Sequence, residues 1–251
     1  MLSADKESFA DVVVVGPGKV VLIQCKGCEN SDSVKDINVR DELEKMVVEW
    51  QPFEFEVAEW RDTGTSILRG TDDIVQLLDD HIVTTQTMSG SPYIKPLAAR
   101  FETWDRKLNL LQEIMDEWLK CQRAWLYLEP IFGSEDIMRQ MPKEGTKFRQ
   151  VDAMWRKHMS VTIKSPSVMG VVSRPNVKET FVNCNKLLDA ILKGLNDYLE
   201  TKRMFFPRFY FLSNDELLEI LSQTKDPTAV QPFLKKCFEN VDRLTFEDVD
   251  G

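Results

Sequence analysis

Apolar residues recur at helical spacing through residues 34–50, with Val39, Leu43, Met46, Val47 and Trp50 on one face, and Pro52 ends the pattern. Phe53, Phe55 and Val57 then alternate with Glu54 and Glu56, the period of a half-buried strand. Asp62-Thr63-Gly64 supplies a turn and residues 66–68 a return strand, so a small β-hairpin is expected within residues 53–68. Thr71 followed by Asp72 and Asp73 marks a helix start, because carboxylates offset the positive end of the helix dipole. Ile74, Leu77, Leu78 and Ile82 share the face of that helix.

The longest periodic signal follows Pro92 and Pro96. Leu97, Phe101, Trp104, Leu108, Leu111, Met115, Trp118, Gln122 and Trp125 stand at spacings of four and three, a heptad seam with one polar position at Gln122. The pattern ends at Glu129-Pro130, and a helix of this extent is roughly 50 Å long. A second seam begins after Pro175 and runs to about Arg203, through Val177, Phe181, Cys184, Leu188, Ile191, Leu195 and Tyr198. Between the two seams, Phe148, Val151, Trp155 and Met159 mark a shorter helix that ends before Pro166. The fold class expected is mainly α, an elongated multi-helix bundle with a small β-hairpin.

Residues 205–212 change character. Seven of these eight positions are apolar or aromatic, and Arg208 is the only charge. The stretch reads as a strand or a packed loop. Read as a strand, it turns Phe209 and Phe211 inward and Arg208 and Tyr210 outward, because successive side chains point to opposite faces. Phe206, Arg208 and Tyr210 are therefore the candidate partner interface, and the competing reading is core packing of the whole stretch. Ser213 with Glu216 three residues later is a capping box. Asp226-Pro227 starts a further helix carrying Phe233, Leu234 and Cys237 on one face.

Composition narrows the chemistry. The 251 residues carry 32 Lys and Arg against 41 Asp and Glu, a net charge of −9, so no general attraction for nucleic acid, anionic lipid or an acidic microtubule surface is expected. No apolar run approaches the ~18 residues of a membrane span. Five scattered cysteines do not form a disulfide framework; Cys121 and Cys184 fall in helical patterns and read as buried free thiols in a reducing, intracellular setting. His81 and His158 lie far from any nucleophile and read as surface or half-buried structural residues.

Residues 1–30 differ from the rest, with β-branched runs at 12–15 and 20–23 flanking Gly16-Pro17-Gly18, a hairpin or a ragged leader. Gly16-Pro17-Gly18-Lys19 is not a phosphate loop, because Val13 stands where the first glycine belongs and Val20 where a hydroxyl must hold magnesium. Cys25-Lys26-Gly27-Cys28 has zinc-ribbon or redox spacing, but no second Cys or His pair completes four ligands. Carboxylate pairs such as Asp72/Asp73 and Asp215/Glu216 sit at helix starts. No residue set for bond chemistry emerges.

One family fits the remaining pattern. The run from Trp118 to Phe132, Trp-Leu-Lys-Cys-Gln-Arg-Ala-Trp-Leu-Tyr-Leu-Glu-Pro-Ile-Phe, with Ser134-Glu135-Asp136-Ile137, resembles the linker region of dynein heavy chains. Met141-Pro142-Lys143-Glu144, Gly194-Leu195-Asn196-Asp197-Tyr198-Leu199-Glu200, residues 205–221, Gln223-Thr224-Lys225-Asp226-Pro227 and Lys235-Lys236-Cys237-Phe238-Glu239 continue the likeness. Gln86-Thr87-Met88 and Ser91-Pro92-Tyr93 are similar to axonemal members, and the Leu-Glu-Pro-Ile-Phe and Leu-Asn-Asp-Tyr-Leu-Glu forms to inner-arm, single-headed types.

The resemblance implies residues 1–33 as an unrelated leader and 34–251 as a partial linker-like helical domain. In the family the linker is a helical lever across an AAA+ ring, bending with nucleotide state to drive ciliary movement along microtubules. This chain would be the middle of that lever, non-catalytic and with no cofactor of its own, the ATP being held by the ring of the full-length motor. The partners implied are that ring and, indirectly, dynein intermediate and light chains and the axonemal complex. No nucleic acid, no membrane and no direct microtubule binding by this segment are implied, and the site of action is the cytoskeleton of a cilium or flagellum. An independent helical scaffold or adaptor is the alternative.

Overall fold

A computed structural model describes residues 32–90, 92–222 and 227–246. The readings at residues 12–23, at Gly16-Pro17-Gly18-Lys19, at Cys25 and Cys28, and at Asp226 lie outside the described residues. Helix α1 (Asp32–Glu49) buries Leu43 and Met46, and Trp50 just after it is buried as well. Val47, expected on the same face, is instead 39% exposed. Strands β1 (Glu56–Glu59) and β2 (Ser66–Arg69) form an antiparallel hairpin with Val57 opposite Leu68. The alternating stretch that begins at Phe53 is thus divided. Its first residues pair elsewhere: Phe55 N–H donates to Pro166 O at 2.8 Å and Val168 N–H to Phe53 O at 3.1 Å.

Helix α2 (Asp72–Ser89) packs back on α1. There Trp50 Nε1 donates to His81 Nδ1 at 3.0 Å, and His81 Nε2 lies 3.0 Å from Glu49 Oε2. His81 is accordingly buried rather than half-exposed, a histidine satisfied at both ring nitrogens. A 3-10 turn at Pro92–Leu97 leads into α3 (Ala98–Phe132), 35 residues and roughly 52 Å long. Every seam position expected in α3 from Phe101 to Trp125 is buried.

Helix α3 does not stop at Pro130 but continues to Phe132. A proline costs a helix chiefly its own N–H bond and a ring clash one turn back. Only two helical residues follow, so a bend at Pro130 displaces little, and the last turn closes through Gly133 N–H to Glu129 O at 2.8 Å.

Short α4 (Glu135–Gln140) is followed by α5 (Pro142–Lys164), α6 (Val168–Val172) and α7 (Val177–Phe205). Lys178 Nζ meets Glu113 Oε2 at 2.8 Å, Asn185 Nδ2 meets Glu117 O at 2.9 Å, and Lys120 Nζ meets Asp189 Oδ2 at 3.3 Å. Partner numbers rise together, so α3 and α7 run parallel. Against α5 they fall, with Trp125 Nε1 on Asp152 Oδ1 at 3.2 Å and the Trp118 ring on His158 at 4.5 Å, so α5 runs antiparallel to α3.

The centre of the bundle is aromatic. Trp118 stacks on Phe181 at 5.1 Å, Trp125 on Trp155 at 5.3 Å and Phe132 on Phe148 at 5.3 Å. His158 stands edge-on to Trp118 and Phe181, and burial, with the Arg174 charge second, pushes its pKa down to about 4. Cys121 and Cys184 are buried free thiols on facing sides of α3 and α7. Gly194 lets α5 approach α7, since a Cβ there would meet Glu144 Cγ at 2.9 Å.

Candidate functional site

The chain leaves α7 through a dense aromatic corner. Pro207 has no N–H to offer the α-helical ladder, and the five residues Pro207–Phe211 wind on as a 3-10 helix. The strand reading of residues 205–212 is therefore corrected. In a 3-10 helix residues three apart share a face, so the alternation of a strand gives way to a period of three. Phe209 and Leu212 turn inward, with Leu212 buried and Phe209 half-buried, while Phe206, three residues earlier, stays 39% exposed. Phe205, Arg208 and Phe211 form the outward row, and Phe205 and Phe211 are 83% and 67% exposed. Phe211, expected inside, thus points to solvent.

The three candidate residues differ in their surroundings. Tyr210 is exposed and its hydroxyl donates to Glu200 Oε1, a hydrogen bond that raises its pKa. Arg208 Nη1 donates to Cys237 O at 2.8 Å, and its guanidinium lies 4.5 Å from the Phe238 ring centre. Arg208 therefore ties the corner to the C-terminal helix α9 (Leu234–Cys237), which follows α8 (Asn214–Ser222) and a 3-10 turn at Pro227–Phe233. Phe206 meets Phe209 edge-on at 4.8 Å and Phe238 at 6.3 Å. Behind it a 220 Å³ cavity is lined only by apolar side chains, among them Ile220, Val230, Phe233 and Leu234.

Arg203, on the last turn of α7, organises the corner. Its Nη2 donates to Leu212 O at 3.1 Å and to Asn214 Oδ1 at 2.8 Å, and the guanidinium stands 6.0 Å from the Tyr210 ring centre. The capping box closes α8 as expected: Ser213 N–H donates to Glu216 Oε2 at 2.9 Å and Glu216 N–H to Ser213 Oγ at 3.2 Å. Lys236 Nζ also pairs with Glu216, and with the Ser213 backbone it holds the Glu216 carboxyl below its usual range.

What the corner presents is a group of exposed apolar side chains within eight residues of sequence, Met204, Phe205, Phe211 and the Tyr210 ring. Exposed patches of this kind are normally covered by another protein surface. Alternation misses this surface; a period of three places Phe211 with Phe205, and Met204 is exposed on the last turn of α7. Among the described residues no three His, Cys, Asp or Glu side chains are grouped to hold a metal ion, and no helix is long and apolar enough to cross a membrane.

The family model for the dynein heavy chain, N-terminal region 2, matches residues 30–251. The chain is 55% identical over 214 residues to dynein axonemal heavy chain 1 of Mus musculus, covering 85% of this chain and 5% of that protein. It is 53% identical over 214 residues to dynein axonemal heavy chain 3 of Homo sapiens, with the same coverages of 85% and 5%. Dynein axonemal heavy chain 12 of Homo sapiens is 52% identical over 212 residues, 84% of this chain and 7% of that protein. The chain thus spans about one-twentieth of the length of these relatives.

Proposed function

The chain belongs to the dynein heavy chain family, in its N-terminal region 2, and from that premise we propose that it is a mechanical linker segment of an axonemal dynein heavy chain. In this reading it is a non-catalytic lever of an inner-arm motor in the axoneme of a cilium or flagellum. It works against the AAA+ ring of the same heavy chain, which holds the ATP. The observation that supports a lever is the pair of long helices α3 and α7, locked side by side through buried aromatic rings. A stiff strut carries displacement over tens of ångströms without losing it to bending. Dynein intermediate and light chains reach it through the assembled complex.

The aromatic corner is the contact surface of that lever with the rest of the heavy chain. Phe206, Arg208 and Tyr210 belong to it, with Phe205 and Phe211 as the exposed anchors. Arg208 has a dual position, bonded to Cys237 O on one side and bordering the patch on the other. The test uses the full-length motor carrying Phe205→Ser with Tyr210→Ala. Microtubule gliding is expected to slow several-fold while the melting temperature of the 251-residue chain stays within about 2 °C, the shift of a surface change. Unchanged gliding would remove the contact reading.

A further inference from the structure

Helix α5 reverses the charge of the molecule around it. The chain carries a net charge of −9, yet α5 holds six cations, Lys and Arg, against two carboxylates. Both carboxylates are engaged by neighbours: Asp152 accepts from Trp125 Nε1 at 3.2 Å and from Arg156 Nε at 2.7 Å, and Glu144 packs against Gly194 of α7. Arg156 is committed as well, since its Nη1 donates to Thr63 O at 2.7 Å. What faces outward is Lys143, Arg149, Lys157 and Lys164, all exposed, with Lys147 half-buried beside them. Among the described residues none of these side chains forms an ion pair, and no exposed residue of α5 is acidic.

The outward cations are ordered. Lys143, Gln150, Lys157 and Lys164 stand seven residues apart, about 10.5 Å from one to the next and roughly 31 Å from end to end. Such a line drifts by about 20° per heptad around its helix, a drift that a neighbouring helix follows by crossing at a shallow left-handed angle. Beside the line Thr146, Ala153 and Ser160 are short and exposed, so a neighbouring backbone can come near enough for its carboxylates to reach the lysines. The face carries no exposed aromatic ring on which nucleic-acid bases could stack. Its exposed large apolar residues, Val161 and Ile163, lie only in the last turn and give a lipid surface no amphipathic row.

We propose that the outer face of α5 is a docking site for an acidic helix of a second polypeptide, one that carries carboxylates at seven-residue intervals along one side. The flanks of coiled coils pair lysine with glutamate across two helices in this way. The acidic character of the whole chain does not prevent it. At physiological salt a charge is screened over about 8 Å, so a helix lying on α5 meets the local cations rather than the distant carboxylates. A second copy of this chain is a poorer fit. Its α2 offers Asp72 with Asp79 and Asp73 with Asp80 at the same interval, but that row is about 12 Å long and covers little more than a third of the line. The face shares no residue with the aromatic corner, and the inference goes beyond the contact proposed there.

The probe is a synthetic helical peptide of about four heptads with glutamates in a row at seven-residue spacing. Its binding is followed by fluorescence anisotropy to the 251-residue chain and to a variant with Lys143→Glu, Lys157→Glu and Lys164→Glu, all at exposed positions. Affinity is expected to fall as salt is raised and to drop by about tenfold or more in the variant. The same peptide with lysine in place of glutamate should bind the variant and not the wild type, which a misfolded variant could not do. Equal affinity of both proteins for the glutamate peptide would overturn the proposal, as would equal affinity for a peptide of the same composition with its glutamates spread around the helix. Tighter binding of a single-stranded oligonucleotide or of phosphatidylserine vesicles through the same lysines would assign the face to nucleic acid or lipid instead. Self-association of the chain that the variant abolishes would assign it to a second copy. A peptide that binds the 251-residue chain but not the full-length motor would assign it to another segment of the heavy chain. Each of these last three results also overturns the proposal. Neither Phe205 nor Tyr210 enters the measurement, so its failure is separate from a failure of the gliding test.

Discussion

Gln122 is the single polar residue in the α3 seam, and its side-chain amide supplies both hydrogen bonds that Leu68 lacks from β1. A helix and a hairpin are thereby fixed in register by one side chain, 54 residues away in sequence. The polar interruption of a heptad pattern is usually a specificity device between helices. Here it joins a helix to a strand.

Gln122→Leu leaves the N–H and C=O of Leu68 buried without partners. The expected cost is about 2–6 kcal/mol, since each of the two unsatisfied buried groups costs about 1–3 kcal/mol. Urea unfolding monitored by circular dichroism checks it. A loss below 0.5 kcal/mol, by the scale of an ordinary surface change, would mean that water replaces the amide.

Trp118 has no exposed surface and touches rings from three directions, Phe55 at 5.1 Å, Phe181 at 5.1 Å and His158 at 4.5 Å. Trp118→Ala should cost about 3–5 kcal/mol through the cavity it opens. Trp118→Phe should recover a large part of that loss. The two unfolding midpoints, compared with wild type, decide the matter.

His158 gives the fold an acid-side liability. Its folded pKa is about 4, against 6.5 for the ordinary imidazole. The neutral ring is therefore favoured by the folded state and the protonated ring by the unfolded state. The associated stability is complete above pH 6.5 and is lost as pH falls from there to about 4, by up to about 3 kcal/mol. His158→Phe, which keeps a ring between Trp118 and Phe181, should flatten this part of the pH profile. Unfolding free energies measured at pH 7.5 and 4.5 for both proteins provide the comparison.

At α8 the capping box couples to Lys236. Ser213→Ala should cost about 1 kcal/mol through the lost cap. The Glu216 carboxyl is held below its usual range, so its contribution is present above the unfolded value of 4.5 and is lost as pH falls through the lower folded value. Glu216→Gln should remove that acid-side slope while keeping a side chain able to reach the Ser213 N–H. Melting temperatures of wild type and variant between pH 3 and 6, about the range where carboxyl groups titrate, should converge as the acid end is approached.

Much of the helical architecture was legible because it rests on burial of one face. The spacing of Phe101 through Trp125, and of Val177 through Leu195, is enough to place α3 and α7, since each apolar side chain needs a shared direction. The hairpin was legible in its turn but not in its first strand. Phe53 and Phe55 alternate correctly, yet their backbone pairs with Pro166 and Val168, a long-range choice that no local pattern records. Pro130 misled because a proline bends a helix rather than always ending it, and only two helical residues follow it here. At the corner, the aromatic density of residues 205–212 pointed to the right place with the wrong period. A strand and a 3-10 helix share such a composition, and only Pro207 immediately after a long helix favours the second. The role of Arg203 had no local signal, because its partners, Leu212 and Asn214, meet it only once the chain has turned.

The parallel course of α3 and α7 has a consequence for how the bundle carries force. The chain enters at the first turn of α3 and leaves at the last turn of α7, which lie at opposite ends of the pair. Tension between these two points therefore slides one helix along the other instead of prying them apart. In sliding, the pairs Lys178–Glu113, Asn185–Glu117 and Lys120–Asp189 and the stacked rings between them are strained together, so none yields alone. Prying from one end would break them in succession, like a zip. The same contacts are thus strong along the axis of the bundle and weak across it.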